Sequence, residues 1–464
     1  MSQPGKWPAL ALLAATQFVL ILDLTIISVA SPPMGLELRL TQQELSWMTT
    51  GYALAFGGLL LLGGRLADRM GRRRIFMTGM LLFAAASLVG GLASTGELLV
   101  AVRAVQGLAG ALVAPAALSL VMTIFKDDPD LNQALGVWGA VGGVGGAAGV
   151  VLGGLLTDWL GWRSVFFVNV PVGVVVALLA LVLLPAARGQ AARGGFDVAG
   201  AVTSTAGLAL LIYAFSGEPW AVEAGVLAAV LLAAFLVIEA KSADPLLPLT
   251  VFRGPLLRAG NLLMFLTAAA MQATFFILTL YTQFVLGYSA TESGLSLVAI
   301  AVMIAFTASA LGGRAVARYG LRATAATGMA FITVGTAWYT QIGVEGGFLT
   351  SMLGPELLTG FGFGLLVVAS TIAATSEAGP AESGLASGLF NVTQQVGVSI
   401  GIAVLIRIAD ATAAGSAVPA DLVSGYRLAL IVATGVAALG LVAALTMLPG
   451  HRAAARELAA THAG

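Results

Sequence analysis

Cysteine is absent from this chain, and histidine is confined to His451 and His462 near the C-terminal end. Without thiols there is no disulfide framework and no thiolate metal site. With both histidines in the tail, none is placed to act as a buried base, a metal ligand or a proton relay. Charge is scarce too. Asp, Glu, Lys and Arg make up 9% of the residues, against about 25% in an average soluble domain. So few charges do not cover a water-facing surface, whereas a lipid-facing exterior has no such need. The formal net charge is zero, with no basic domain to attract nucleic acid. There is no GxxxxGK[ST] loop to bind a nucleotide, and Ser164 and Ser204 have no visible base partner. No enzyme activity, cofactor or metal is expected.

Hydrophobic residues make up 59% of the chain, and 59 residues are glycine. Small residues let membrane helices approach closely. A spanning helix needs about 20 mostly apolar residues. On that measure the chain divides into roughly fourteen spans, at about 8–31, 45–64, 75–94, 97–125, 131–157, 164–185, 197–215, 221–240, 259–286, 291–312, 323–342, 350–374, 384–408 and 425–448. The first follows Lys6 and has no small-residue cleavage site after it, so it reads as a retained span rather than a signal peptide. Ser31-Pro32-Pro33 reads as its end.

Orientation follows from Lys and Arg. With the N-terminus in the cytoplasm and the spans alternating, only Arg39, Arg103, Arg163, Arg407 and Arg427 of the 22 basic residues fall outside the cytoplasmic side. The inside then holds Lys6, Arg65, Arg69, Arg72, Arg73, Arg74, Lys126, Arg188, Arg193, Lys241, Arg253, Arg258, Arg314, Arg318, Arg322, Arg452 and Arg456. That sorting favours an even number of spans with both termini cytoplasmic. It does not separate fourteen spans from twelve.

The chain also repeats itself. Gly63-Gly64-Arg65-Leu66-Ala67-Asp68-Arg69-Met70-Gly71 follows span 2, and Gly312-Gly313-Arg314-Ala315-Val316-Ala317-Arg318-Tyr319-Gly320 follows span 10. Internal duplication is frequent in secondary transporters, whose binding site lies between the repeats. If spans 7 and 8 are an insertion, each copy follows the second helix of a six-helix half.

These residues resemble the major facilitator superfamily, and within it the fourteen-spanner drug–proton antiporters. Gly64 to Arg73 is similar to the superfamily's loop signature, and Arg103-Ala104-Val105-Gln106-Gly107 to its motif with an intramembrane arginine. Gly142 to Gly149, with Gly153 and Gly154, resembles the antiporter motif, although Ala148 stands where that motif has proline. Trp162 to Gly173, Leu22 to Ala30 and Ser387 to Gln395 resemble the fourteen-spanner branch in spans 6, 1 and 13. Ser28 replaces a usual Asn, and Gln394 stands where relatives often have Arg. The resemblance implies an all-α polytopic membrane protein of major facilitator fold. Residues 1–186 form an N-terminal six-helix half, 187–250 two additional central spans and 251–464 a C-terminal six-helix half. It also implies a latching role for Gly64, Arg65, Asp68, Arg69, Gly71 and Arg72, and a rocking interface at Gly145, Gly149, Gly153 and Gly154. Ala317 in the second copy makes the latch one-sided.

Asp23 is a lone carboxylate inside an apolar span, where a charge is costly and usually functional. At 1.5 Å per residue it lies ~12 Å below the outer end of span 1, and Arg103 lies ~9 Å below the same surface in span 4. Both spans line the cavity in the family fold. Asp23 is therefore the expected protonation switch, with Arg103 beside it. Glu223 and Glu239 lie near the ends of span 8, and Glu356 near the outer end of span 12. No carboxylate in the C-terminal half matches Asp23, so few protons per cycle are expected. Substrate contacts are expected from Tyr52 in span 2, from Gln272, Phe275, Phe276 and Tyr281 in span 9, and from Asn391, Gln394 and Gln395 in span 13. Aromatic side chains offer apolar contact there, and amides both donate and accept.

The expected function is proton-coupled export of small hydrophobic or amphipathic compounds, such as drugs and antibiotics, by alternating access. The protein would be a monomer in the lipid bilayer of a bacterial cytoplasmic membrane. A lipid or metabolite permease and a non-transporting receptor or scaffold are the alternatives. A receptor has no use for Asp23 and calls for larger soluble appendages.

Overall fold

A lipid interior offers the backbone no hydrogen-bond partners, so each crossing segment satisfies its own amides as helix. The computed structural model describes residues 5–125, 130–185, 197–215, 219–242, 254–377 and 383–450, with Pro245 and Phe252. Lys126, Arg188, Arg193, Arg253, Arg452 and Arg456 lie outside the described residues, as do both histidines. The order is α1 (Lys6–Leu38), α2 (Gln42–Met70), α3 (Arg72–Gly91), α4 (Gly96–Ile124), α5 (Leu131–Leu160), α6 (Ser164–Phe167), α7 (Asn169–Leu183), α8 (Val198–Phe215), α9 (Ala221–Lys241), α10 (Pro255–Leu280), α11 (Ala290–Ser296), α12 (Val298–Phe306), α13 (Gly313–Tyr339), α14 (Leu353–Ser376), α15 (Ser383–Ala413) and α16 (Pro419–Met447). Turns of π-helix at Tyr281–Val285, Thr307–Gly312 and Phe348–Met352 extend α10, α12 and α14. Among the described residues no strand occurs, and ten helical segments are long and apolar enough to cross a membrane.

Two boundaries differ from the sequence expectation. Ser31-Pro32-Pro33 does not end the first helix, which continues to Leu38. Pro32 has no N–H for the carbonyl of Ser28, four residues back. The Ser31 hydroxyl donates to that carbonyl instead, at 2.9 Å, so the helix passes Pro32 without orphaning that acceptor. The second difference is the stretch from Gly64 to Met70, which forms the last turns of α2 rather than a loop. The turn is made at Gly71 alone, with φ of 100°.

The chain forms two compact units, one of residues 1–248 with 288–295, the other of 249–287 with 296–464. In the first, α1 packs on α5 across the Gly145, Gly149 and Gly153 stripe, which faces Phe18, Leu22, Thr25 and Ile26. Gly154 turns to the neighbouring face and lies against Ala290 and Thr291, whose amides donate to Asp158 at 3.2 and 2.7 Å. α2 packs on α4 through Gly63, Gly107 and Gly110, and α3 packs on α4 and α7. The second unit uses the same pairings. α10 meets α15 at Gly397 and Gly401, α12 meets α14 at Gly360 and Gly364, and α13 packs on α14 and α16. Helices in lipid gain little from burying more hydrocarbon, so close backbone approach over glycine supplies the packing. The sequence repeat has its counterpart too: Gly320 has φ of 82°, the same left-handed turn as Gly71. α8 and α9 pack on each other, and Thr205 of α8 donates to the Gly58 carbonyl of α2 at 3.1 Å.

A Cβ at Gly149 would run into the Thr25 hydroxyl and lie 2.8 Å from the Leu22 carbonyl, whereas one at Gly146 meets nothing within 4 Å. Overpacking costs about 1–3 kcal/mol. Gly149→Val is therefore expected to lower the thermal unfolding midpoint in detergent, and Gly146→Ala to leave it unchanged or raise it. Equal effects would show that α1 and α5 are not in this register.

Candidate functional site

A charged side chain in the apolar interior persists only when paired and hydrogen-bonded. In the first unit one such network joins α1, α2, α3, α4 and α7. Arg103 of α4 donates from Nη1 to Asp23 Oδ2 of α1 at 2.5 Å, and both side chains are 0% exposed. Asn169, the first residue of α7, donates to the other carboxylate oxygen at 2.6 Å. The guanidinium also donates to Gln106 Oε1 at 2.8 Å and, through Nε, to the Met48 carbonyl of α2 at 3.2 Å. Gln106 passes the chain on to the Ser87 hydroxyl of α3 at 2.8 Å, which donates to the Phe83 carbonyl. The guanidinium carbon lies 4.5 Å from the centre of the Tyr52 ring, a cation–π contact. Tyr52 in turn stacks on Phe56, with centroids 5.9 Å apart.

The chemistry follows from donors and acceptors. Asp23 is met on both oxygens by N–H donors. A proton placed on it would set O–H against N–H and leave Arg103 short of an anion. Both oxygens of Asp23 are therefore satisfied with Asp23 as acceptor, and the network must rearrange when Asp23 takes a proton. Arg103 Nη2 and the Tyr52 hydroxyl are buried with no hydrogen-bond partner among the described residues.

The depth estimate thus places Asp23 and Arg103 correctly against each other. Asn169 and Gln106 were missed as members of the site. Both had signals: Gln106 lies three residues from Arg103 on one helix face, and Asn169 is the one amide in its span.

Of the other expected site residues, Tyr52 meets the network through Arg103. Tyr52, Phe276 and Tyr281 are fully buried, and Tyr281 donates to the Gly343 carbonyl at 2.7 Å. Gln272, Phe275, Gln394 and Gln395 are half-buried. Asn391 is exposed and bonds back to the Ser387 carbonyl of its own helix. Around the α2–α3 turn, Arg65 donates to the Pro245 carbonyl, and Arg72 to the Thr123 hydroxyl and the Ser119 carbonyl. Arg69 is half-buried in the last turn of α2. The side chain of Asp68 lies outside the described residues. At the far end, Glu37 of α1 accepts from Trp162 Nε1 at 2.7 Å and pairs with Arg163, so the Trp162-Arg163 motif anchors the end of the first helix.

The expectation that no second carboxylate is as buried as Asp23 is wrong. Glu356 of α14 is 0% exposed. It was expected near the outer end of its span, and it does lie eight residues from the start of the π-turn at Phe348; what the sequence did not show is its burial by neighbouring helices.

Removing one partner of a buried ion pair costs about 3–5 kcal/mol, because the other charge is left unpaired. Arg103→Met and Asp23→Asn are each expected to destabilise the protein in detergent. Together they should cost less than the sum, with a coupling of at least ~1 kcal/mol. Additive losses in a double-mutant cycle would show that the two side chains do not meet.

Comparison with known proteins identifies the family. The family model of the Major Facilitator Superfamily matches residues 13–402. The cephamycin export protein of Amycolatopsis lactamdurans is 40% identical over 427 residues, covering 90% of this chain and 87% of the relative. The puromycin resistance protein of Streptomyces alboniger is 37% identical, covering 98% and 93%. Among solved structures, a bacterial homologue of the human lysosomal transporter Spinster, inward-facing and occupied, superimposes with a TM-score of 0.71 at 15% identity. The match covers 96% of this chain and 97% of that one. At that identity the likeness speaks for the fold alone. The family match and the two relatives establish more: this chain belongs to the Major Facilitator Superfamily.

Proposed function

We propose that the protein exports small hydrophobic or amphipathic antibiotics across a bacterial cytoplasmic membrane, in exchange for protons, through a fourteen-span body with both termini inside. The observation that carries this reading is the Asp23–Arg103 pair, a titratable carboxylate held by donors alone in the apolar interior of the first unit. The relatives' names supply the substrate class, since they export cephamycin or confer resistance to puromycin. The sorting of basic residues supports the orientation. The division into residues 1–186, 187–250 and 251–464 belongs to the same proposal, as do the monomeric state and the roles of the substrate and latch residues.

The exchange works through the network. A proton arriving at Asp23 from outside neutralises it and releases Arg103 and Asn169. The freed helices α1, α4 and α7 then adopt another packing, and release of the proton inside restores the closed network. Substrate moves the other way because its site is available only in alternation with the proton.

Each proton exchanged down one pH unit, with the membrane potential clamped at zero, supports about a tenfold substrate gradient. Acid-loaded proteoliposomes carrying the protein are expected to accumulate puromycin at least tenfold above protein-free vesicles. A protonophore should abolish that accumulation. Accumulation that ignores the pH gradient would contradict proton exchange, and no movement of puromycin, lincomycin or cephamycin would contradict the substrate class.

A further inference from the structure

Among the described residues of the second unit, Glu356 is a fully buried acid that the Asp23 network leaves unused. It lies on α14 where that helix packs between α12 and α13. Gly360, one turn on, rests against the Ile300 carbonyl and Met303 of α12. Gly335 of α13 rests against Pro355 and Thr359. The carboxyl is fully buried between these contacts, ~12 Å along the helix from Phe348. Neither of its oxygens has a hydrogen-bond partner among the described residues. The Ile300 backbone is beside it but outside hydrogen-bond geometry. The titratable group that faces it is Tyr339 of α13, whose hydroxyl is also buried and lies beside Thr359 without a partner in full hydrogen-bond geometry. α12, the π-turns at 307–312 and 348–352, and the buried face of α10 carry no charged residue. On α15, Arg407 is exposed and Asp410 half-buried, and neither is bonded to Glu356.

A carboxylate in that setting would be an uncompensated charge in hydrocarbon, which is untenable. A carboxylic acid is tenable, since it is neutral and carries its own donor. Intramembrane carboxyls of this kind mark ion and proton pathways. We propose that Glu356, with Tyr339 beside it, is a second proton-binding site, loaded in the conformation described here and emptied when α12, α13 and α14 repack. This rests on the proton-exchange reading for its place in the cycle but not for its occupancy. It adds one proton per cycle to the one carried at Asp23. The step is a proton transfer only: water takes the proton from the carboxyl on opening and returns one on reloading.

Two measurements test it. Infrared spectra of the purified protein at neutral pH are expected to show the carbonyl stretch of a protonated carboxylic acid. It should shift on transfer to heavy water, disappear in Glu356→Gln and persist in Asp23→Asn. A spectrum without this stretch in the wild type, one unchanged by Glu356→Gln, or a stretch that never exchanges would overturn the proposal. This readout does not depend on transport, so it stands even if the wild type proves not to be driven by protons.

The second measurement is the limiting gradient of a transported antibiotic at one pH unit with the potential clamped. Glu356→Gln is expected to lower that limit about tenfold and Glu356→Asp to leave it unchanged. The limit is independent of transport rate, so a slowed but intact variant still reads correctly. An unchanged limit in Glu356→Gln would overturn the second proton. So would a change only in the affinity for cationic antibiotics, which would make Glu356 a substrate contact. If Glu356→Gln moves nothing while Glu356→Asp transports normally, the proposal holds. If neither variant transports, Glu356 is structural and the proposal fails.

Discussion

The cost of a lone charge in hydrocarbon governs the first unit. Asp23 and Arg103 come from helices distant in sequence, and each is tolerable only because the other is there. Their 2.5 Å contact sets the relative height of α1 and α4. Asn169 adds α7 to the same carboxylate, Met48 adds α2 through its carbonyl, and Ser87 adds α3 through Gln106. Five helices of the unit therefore have a polar stake in one point. A single protonation there would disturb the packing of those five helices together.

Around that point the packing is loose in chemistry and tight in geometry. Glycine at the α1–α5 and α2–α4 contacts lets backbones meet with little side-chain interlock. Such surfaces supply dispersion without fixing direction, as membrane helix pairs require. The second unit repeats the pairings with its own glycines, and Gly71 and Gly320 close the corresponding turns. The units differ in their buried acids. The first holds Asp23 with donors on both oxygens, and the second holds Glu356 with none in hydrogen-bond geometry.

Much of this was legible in the sequence because membrane burial makes charge rare. Asp23 and Arg103 stood out as isolated charges, and the helix rise was enough to put them at one depth. The repeat was legible because glycine and arginine recur at fixed spacing. The failures were those of local rules overridden by context. Pro32 and Pro33 pointed to a helix end, but one serine hydroxyl satisfied the freed carbonyl. The stretch from Gly64 resembled a loop signature, yet it stays in α2 to Met70 and Gly71 makes the turn. Asn169 is separated from Asp23 by 146 residues, and only packing brings them together. The burial of Glu356 comes from the packing of α14 against α12 and α13, which a hydropathy count does not show.

Whether Asp23 couples transport to protons or merely holds the helices together is the central question. Substrate exchange at equal pH needs a folded, moving protein but no net proton flow. Net accumulation needs both. The decisive measurement compares the two in proteoliposomes carrying Asp23→Asn. Retained exchange of labelled puromycin with loss of gradient-driven accumulation is the predicted result, and unaltered accumulation would contradict the coupling role of Asp23.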